Sequence, residues 1–174
     1  MIKKWKEISR KLVFDNWRKI ERVVFEMPNG KNEDFYLKNE VHSSAVLAFT
    51  KNKKIILTEQ FRPGPNEILL ELPGGAVEKN DNPIETARKE LLGETGYSGD
   101  VKFAGSYYVD GYSNRIGNAF VALDCEKNSE QKLDETEFIE VELLSIDEFR
   151  ELLRSGKMTD VQVGYLGLDY LKLL

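Results

Sequence analysis

Hydrophobic positions in this chain fall in short runs broken by polar turns, with a helical period in the middle and two more at the end. Leu12, Val13, Phe14, Trp17, Ile20, Val23, Val24, Phe25 and Met27 are interleaved with charges, and the later part of that stretch reads as a strand. Pro28-Asn29-Gly30-Lys31 is a turn, so residues 34–41 return as the partner strand of a two- or three-stranded ribbon. Residues 44–50 and 55–61 flank the polar turn Lys51-Asn52-Lys53-Lys54 as a central hairpin. Arg62-Pro63-Gly64-Pro65-Asn66 is a rigid loop, and 68–72 form a short strand leading into Gly74-Gly75. Two successive glycines let backbone approach a ligand with no Cβ in the way.

A helix then begins with a full start signature: Asn82 as N-cap, Pro83 with its preset φ, and Glu85 as capping-box carboxylate. Gly96 is placed to end it in the left-handed conformation. Residues 101–109 and 116–123 read as strands, 124–134 as a polar surface loop, and 138–143 as the last strand. Two helices finish the chain. The first has Ser145 as N-cap with Glu148 at N3, burying Phe149, Leu152 and Leu153; the second begins at Thr159 with Gln162 reciprocating and carries Val163, Leu166, Tyr170 and Leu171. Strands around one internal helix, closed by terminal helices, predict a mixed α/β fold with a curved mixed sheet. With no internal repeat and no low-complexity linker, residues 1–174 form one domain: 1–42 an N-terminal ribbon and 43–174 the core. Such a ribbon is weak alone and must cover its apolar face, either on its own core or on a second subunit.

Chemistry concentrates on the internal helix. Glu90 and Glu94 lie four residues apart on one face, toward the negative end of the helix dipole, where like charges repel. A hard divalent cation turns that penalty into a gain and keeps waters for a phosphate substrate. A second acidic cluster, Asp134-Glu135-Thr136-Glu137, precedes the last strand.

Composition narrows the classes. At 174 residues and 41% hydrophobic content, the chain is long enough to bury roughly two-thirds of its unfolded surface in one domain. Its 25 basic and 30 acidic residues give a formal net charge of −5, which favours neither nucleic acid nor an anionic membrane as partner. Cys125 is the only cysteine, so no intramolecular disulfide forms and a cytoplasmic setting is expected. With His42 the only histidine, a His-rich zinc site is excluded. The start MIKKWKEISRK lacks the apolar run of a signal peptide, and no stretch approaches the ~20 apolar residues that span a bilayer.

Gly75, Asp81, Lys89-Glu90-Leu91, Gly93-Glu94 and Gly96-Tyr97 stand at the spacings of the Nudix hydrolase signature, and the chain resembles that family. Asp81 replaces a glutamate, Lys89 an arginine, and Gly93 the first glutamate of a pair. The resemblance implies a Nudix-type α/β/α sandwich and hydrolysis of the diphosphate bond of an ADP-ribose-like or other nucleoside-diphosphate sugar, giving two monophosphates. It implies Mg²⁺ or Mn²⁺ held by Glu90, Glu94, Glu137 and the carbonyl of Gly75, with Glu135 activating the attacking water. Gln60-Phe61-Arg62 and Glu71-Leu72-Pro73 resemble elements of the ADP-ribose pyrophosphatase branch, where Arg62 meets a phosphate and Glu71 lies near sugar hydroxyls or the metal. Tyr112 would stack on a base or sugar. Val109-Asp110-Gly111 stands where that branch has Ser-Pro-Gly, which leaves room for another nucleoside-diphosphate sugar. N-terminal strands of that branch commonly form a homodimer. The three departures within the signature keep a second reading open: a catalytically weak or inactive Nudix-fold domain that binds a nucleotide or a protein.

Overall fold

The computed structural model describes residues 1–174 and divides them into two units: Met1–Val41 with Tyr108–Ile116, and His42–Tyr107 with Gly117–Leu174. In the first unit β1 (Lys6–Asp15), β2 (Lys19–Glu26) and β3 (Asn32–Lys38) form an antiparallel sheet in that order. The turn at 28–31 closes with Gly30 at φ 77°, donating to the Met27 carbonyl. Trp5, Phe25 and Phe35 gather with ring centroids 5.8–6.4 Å apart, and Val23 is fully buried. β1 is exposed along its whole length. Its start lies well before the first apolar run because Lys6, Ser9, Arg10 and Lys11 occupy positions that no core demands be apolar. The segment 110–114 completes this unit: Lys38 N–H donates to the Tyr112 carbonyl at 2.8 Å, Glu40 N–H to Asn114 Oδ1 at 2.8 Å, and Lys38 pairs with Asp110.

The second unit is a mixed seven-stranded sheet. Its elements are β4 (Ser43–Thr50), β5 (Ile55–Arg62), β6 (Glu67–Glu71), β7 (Gly74–Ala76), α1 (Pro83–Thr95), β8 (Tyr97–Tyr108), β9 (Ile116–Lys127), β10 (Glu140–Leu144), α2 (Ile146–Ser155) and α3 (Val161–Tyr170). The order is β10-β5-β4-β9-β8, with β6 on β5 and β7 on β4; β4 runs parallel to β9 and antiparallel to β5. Strand alternation along β4 sorts the core into two clusters. Ala45, Leu47 and Phe49 join Phe149 and Leu153 of α2 and Val163 and Leu168 of α3. Val46 and Ala48 join Ala87 and Leu91 of α1. Each fully buried aliphatic side chain there contributes about 1.5–3 kcal/mol of transfer free energy.

Helix ends follow their local chemistry, with two exceptions. Asn82 caps α1 through Ile84 N–H and Gly96 closes it at φ 76°, but Glu85 turns to Arg88 rather than completing a box. Ser145 and Glu148 do form the reciprocal box on α2. α3 starts two residues later than the Thr159 signal, with Asp160 at the cap position and no side-chain cap bond. β9 also runs on to Lys127, through the first part of the stretch whose polarity reads as loop; Cys125, buried and paired opposite Thr50, holds it in the sheet.

Candidate active site

Three pieces of backbone bring the carboxylates together. β7 lies antiparallel on β4, with Ala45 opposite Gly74 and Ser44 opposite Gly75. A Cβ at Gly74 would stand 2.5 Å from the Ser44 carbonyl oxygen and 2.6 Å from Ala45 Cβ, so only glycine fits. A Cβ at Gly75 would stand 2.7 Å from Glu90 Oε1, which puts the glutamate carboxylate directly against this turn. Gly74 N–H donates to Glu94 Oε2 at 2.9 Å. The glycine pair thus contacts both glutamates, one through lack of a side chain and one through its amide.

Glu94 is 6% exposed, and burial pushes its carboxyl up to about 8, aided by Glu90 and Glu137 and opposed by the Gly74 amide and Arg62. Glu90 is also raised, by burial first and then by the field of Glu137, Asp134 and Glu78, against the counter-effect of Lys89. Two carboxyls one turn apart therefore sit where burial and neighbouring carboxylates outweigh the positive charge of Arg62 and Lys89. At the loop 134–137, Asp134 N–H donates to Glu137 Oε2 at 2.9 Å and Glu137 N–H to the Asp134 carbonyl at 3.0 Å. Glu135 is exposed in the same turn.

Alternation along β5 builds a second polar group. Thr58, Gln60 and Arg62 share one face, and Glu71 stands opposite Thr58 on β6. Arg62 grips Glu71 with two nitrogens, Nε at 2.7 Å from Oε1 and Nη2 on Oε2, while Gln60 Nε2 adds a 3.3 Å contact to Oε2. Glu71 is 2% exposed; Arg62 is half-buried and its guanidinium is held above its usual range by the bond to Glu71. Arg62 also feels the charge of Glu94 and Asp160.

Of the residues singled out from the sequence, Gly75, Glu90 and Glu94 meet at one place, Glu137 acts on both glutamates through its charge, and Arg62 and Glu71 meet each other. Tyr112 belongs to the first unit, where its N–H donates to Asp110 Oδ1 at 2.7 Å. Gln131 escaped the sequence reading: its amide touches the Glu94 and Ile139 carbonyls. Backbone partners 37 and 8 residues away leave no periodic signal.

The donor set suits a hard divalent cation: carboxylate oxygens gathered against a glycine turn, in a place where a cation relieves the burial of charge. No three His, Cys, Asp or Glu side chains are gathered as a ready cage. Mg²⁺ commonly needs only one or two carboxylates, with water and substrate phosphate completing its shell.

A family model described as "NUDIX domain" matches residues 41–162. The ADP-ribose pyrophosphatase of Bacillus subtilis (strain 168) is 34% identical over 151 residues, covering 85% of this chain and 81% of that protein. The methanol dehydrogenase activator of Bacillus methanolicus is 30% identical over 154 residues, with 85% and 81% covered. A crystal structure of an ADP compounds hydrolase superposes with TM-score 0.83 over 99% of this chain and 96% of that one, at 19% identity, a likeness of fold.

Proposed function

This chain belongs to the Nudix family, in its ADP-ribose pyrophosphatase-like branch, and on that premise we propose that it is a metal-dependent hydrolase of a nucleoside-diphosphate sugar. The observation that carries this reading is the pair of upshifted carboxyls, buried Glu94 and half-buried Glu90, set against the Gly74-Gly75 turn. Mg²⁺ or Mn²⁺, held by Glu90, Glu94, Glu137 and the Gly75 carbonyl, supplies charge neutralisation for the diphosphate when bound. Glu135 takes the proton of the water that attacks one phosphorus, the P–O–P bond breaks, and two monophosphates leave. Arg62, oriented by Glu71, offers its remaining N–H groups to a phosphate oxygen. The two core clusters on either side of β4 support an α/β/α sandwich with a curved sheet.

The test is phosphate release, coupled through a phosphatase, from ADP-ribose, GDP-mannose and UDP-sugars with Mg²⁺ or Mn²⁺. Folded protein that cleaves none of them overturns the reading. A second reading, a Nudix-fold domain that binds without turnover, is favoured by Gly93: a Cβ there meets only the Lys132 carbonyl, at an ordinary 3.7 Å, so a side chain has room and none is present. Calorimetric binding of the same compounds without cleavage supports that alternative. The protein acts as a homodimer through its N-terminal strands, in the cytoplasm, without nucleic acid or membrane as partner.

A further inference from the structure

The last carbonyls of a helix have no partners within it. At the end of α1 most of them are taken by one segment. Gly96 N–H serves Leu92, Lys132 N–H serves Gly93 at 2.8 Å, and Gln131 Nε2 serves Glu94 at 2.7 Å. Asn128 N–H and Ser129 N–H both reach the Gly96 carbonyl, at 2.8 and 3.2 Å. Gly96 itself permits this approach, since a Cβ there would overlap the Ser129 carbonyl oxygen. So residues 128–132 act as the C-terminal cap of the helix that carries Glu90 and Glu94.

Gln131 makes a second bond, from the same nitrogen to the Ile139 carbonyl at 3.1 Å. Both neighbours are acceptors, so the amide must present its two N–H groups and its orientation is settled by its partners. Ile139 is buried and leads directly into β10, which is registered on β5. One side chain therefore joins three things: the last turn of α1, the start of β10, and the base of the loop between them. That loop contains Asp134, Glu135 and Glu137, and it is internally knitted only by the Asp134–Glu137 turn. Removing the Gln131 amide leaves the acidic turn and the Lys132–Gly93 backbone bond intact but unties Ile139, the far end of the loop, from the last turn of α1, so the carboxylates between them lose a fixed distance from Glu90 and Glu94.

We propose that Gln131 is a positioning residue that fixes the separation between the Glu90/Glu94 face and the acidic loop 134–137. The proposal rests on the hydrolase reading above. Gln131 touches neither metal nor substrate; it acts through the Glu94 and Ile139 backbone. It predicts a split that a merely structural glutamine does not produce. Gln131→Met keeps length and bulk and loses both donors; Gln131→Asn keeps the amide but is one methylene too short to serve both carbonyls.

The experiment measures three quantities on the full chain: kcat and KM for ADP-ribose, the Mn²⁺ dissociation constant by electron paramagnetic resonance without substrate, and the melting midpoint. For Gln131→Met, kcat is expected to fall and the Mn²⁺ dissociation constant to rise, together by roughly 10–100-fold, with KM little changed. Gln131→Asn falls between Met and wild type. A variant that melts earlier yet keeps wild-type kcat and Mn²⁺ affinity overturns the proposal. For the unaltered protein, hydrogen exchange is expected to show residues 93–96 and 132–138 opening as one unit; independent opening also overturns it, whether or not the variants fold. Wild-type protein that neither binds Mn²⁺ nor cleaves ADP-ribose, GDP-mannose or a UDP-sugar removes the hydrolase reading and Gln131's role with it. Activity in wild type with an indifferent Gln131→Met removes the role alone.

Discussion

At the scale of single residues, Glu94 carries the clearest consequence. Its carboxyl is pushed up to about 8 by burial, against an ordinary 4.5. In that interval the folded metal-free protein keeps a proton that the unfolded chain has released, so stability falls as pH rises from about 4.5 to about 8 and then levels off. Melting in EDTA across that range is expected to show the fall, on the order of a few kcal/mol in total. Glu94→Gln removes most of the slope, leaving the smaller part that belongs to Glu90, and Mg²⁺ stabilises the wild type most at the alkaline end. A flat wild-type profile would show that Glu94 is solvated. Arg62→Met tests the neighbouring pair, because it strands the Glu71 carboxylate, 2% exposed, without its guanidinium. The expected cost is on the order of 2 kcal/mol by chemical denaturation at neutral pH, below the ~3–5 of fully buried pairs because Arg62 is partly in water. Substrate KM rises in the same variant.

At the scale of elements, the last turn of α1 concentrates both stability and chemistry. Gly96→Ala is expected to cost at least about 1–3 kcal/mol, since φ 76° strains any Cβ and this one also overlaps the Ser129 carbonyl. Denaturant midpoints check the size, and loss of metal affinity in step with stability shows that the cap and the glutamates move together. Leu91, fully buried under the same turn, is expected to cost about 2–5 kcal/mol as alanine while leaving the turnover of the folded fraction intact. Much of this element was legible in the chain because its signals are local: Asn82, Pro83 and Gly96 act on backbone within a few residues. Glu85 was not, since an arginine one turn on competes for it. Neither was Gln131, whose partners are carbonyls brought near only by the complete sheet. Strand limits were least legible where a strand borders water, as in β1, or where one buried residue, Cys125, holds a polar run in register.

For the whole molecule, the resemblance carried by the spacing implied that Gly75, Glu90 and Glu94 share a site, while the order of strands and the Arg62–Glu71 grip came only from the folded sheet, the grip depending on which face of β5 each residue occupies. β1 exposes Ile8, Leu12, Val13 and Phe14, an apolar content unusual for a strand in water on its whole length. Light scattering at micromolar concentration is expected to give a dimer, and Leu12→Glu with Phe14→Glu a folded monomer; a wild-type monomer refutes the pairing.

The first unit is built from two stretches separated by most of the sheet: 1–41, and 108–116, whose bonds to Lys38 and Glu40 finish it. A ribosome adding ~5–20 residues per second needs roughly 3–13 s to travel from one stretch to the other. Throughout that delay the nascent ribbon lacks its closing segment, and a peptide ending at Val41 never acquires it. Its maturation is tied to the clock of synthesis, and slowing translation between the two stretches lengthens the time during which this unfinished edge is open to chaperones or to a neighbouring nascent chain.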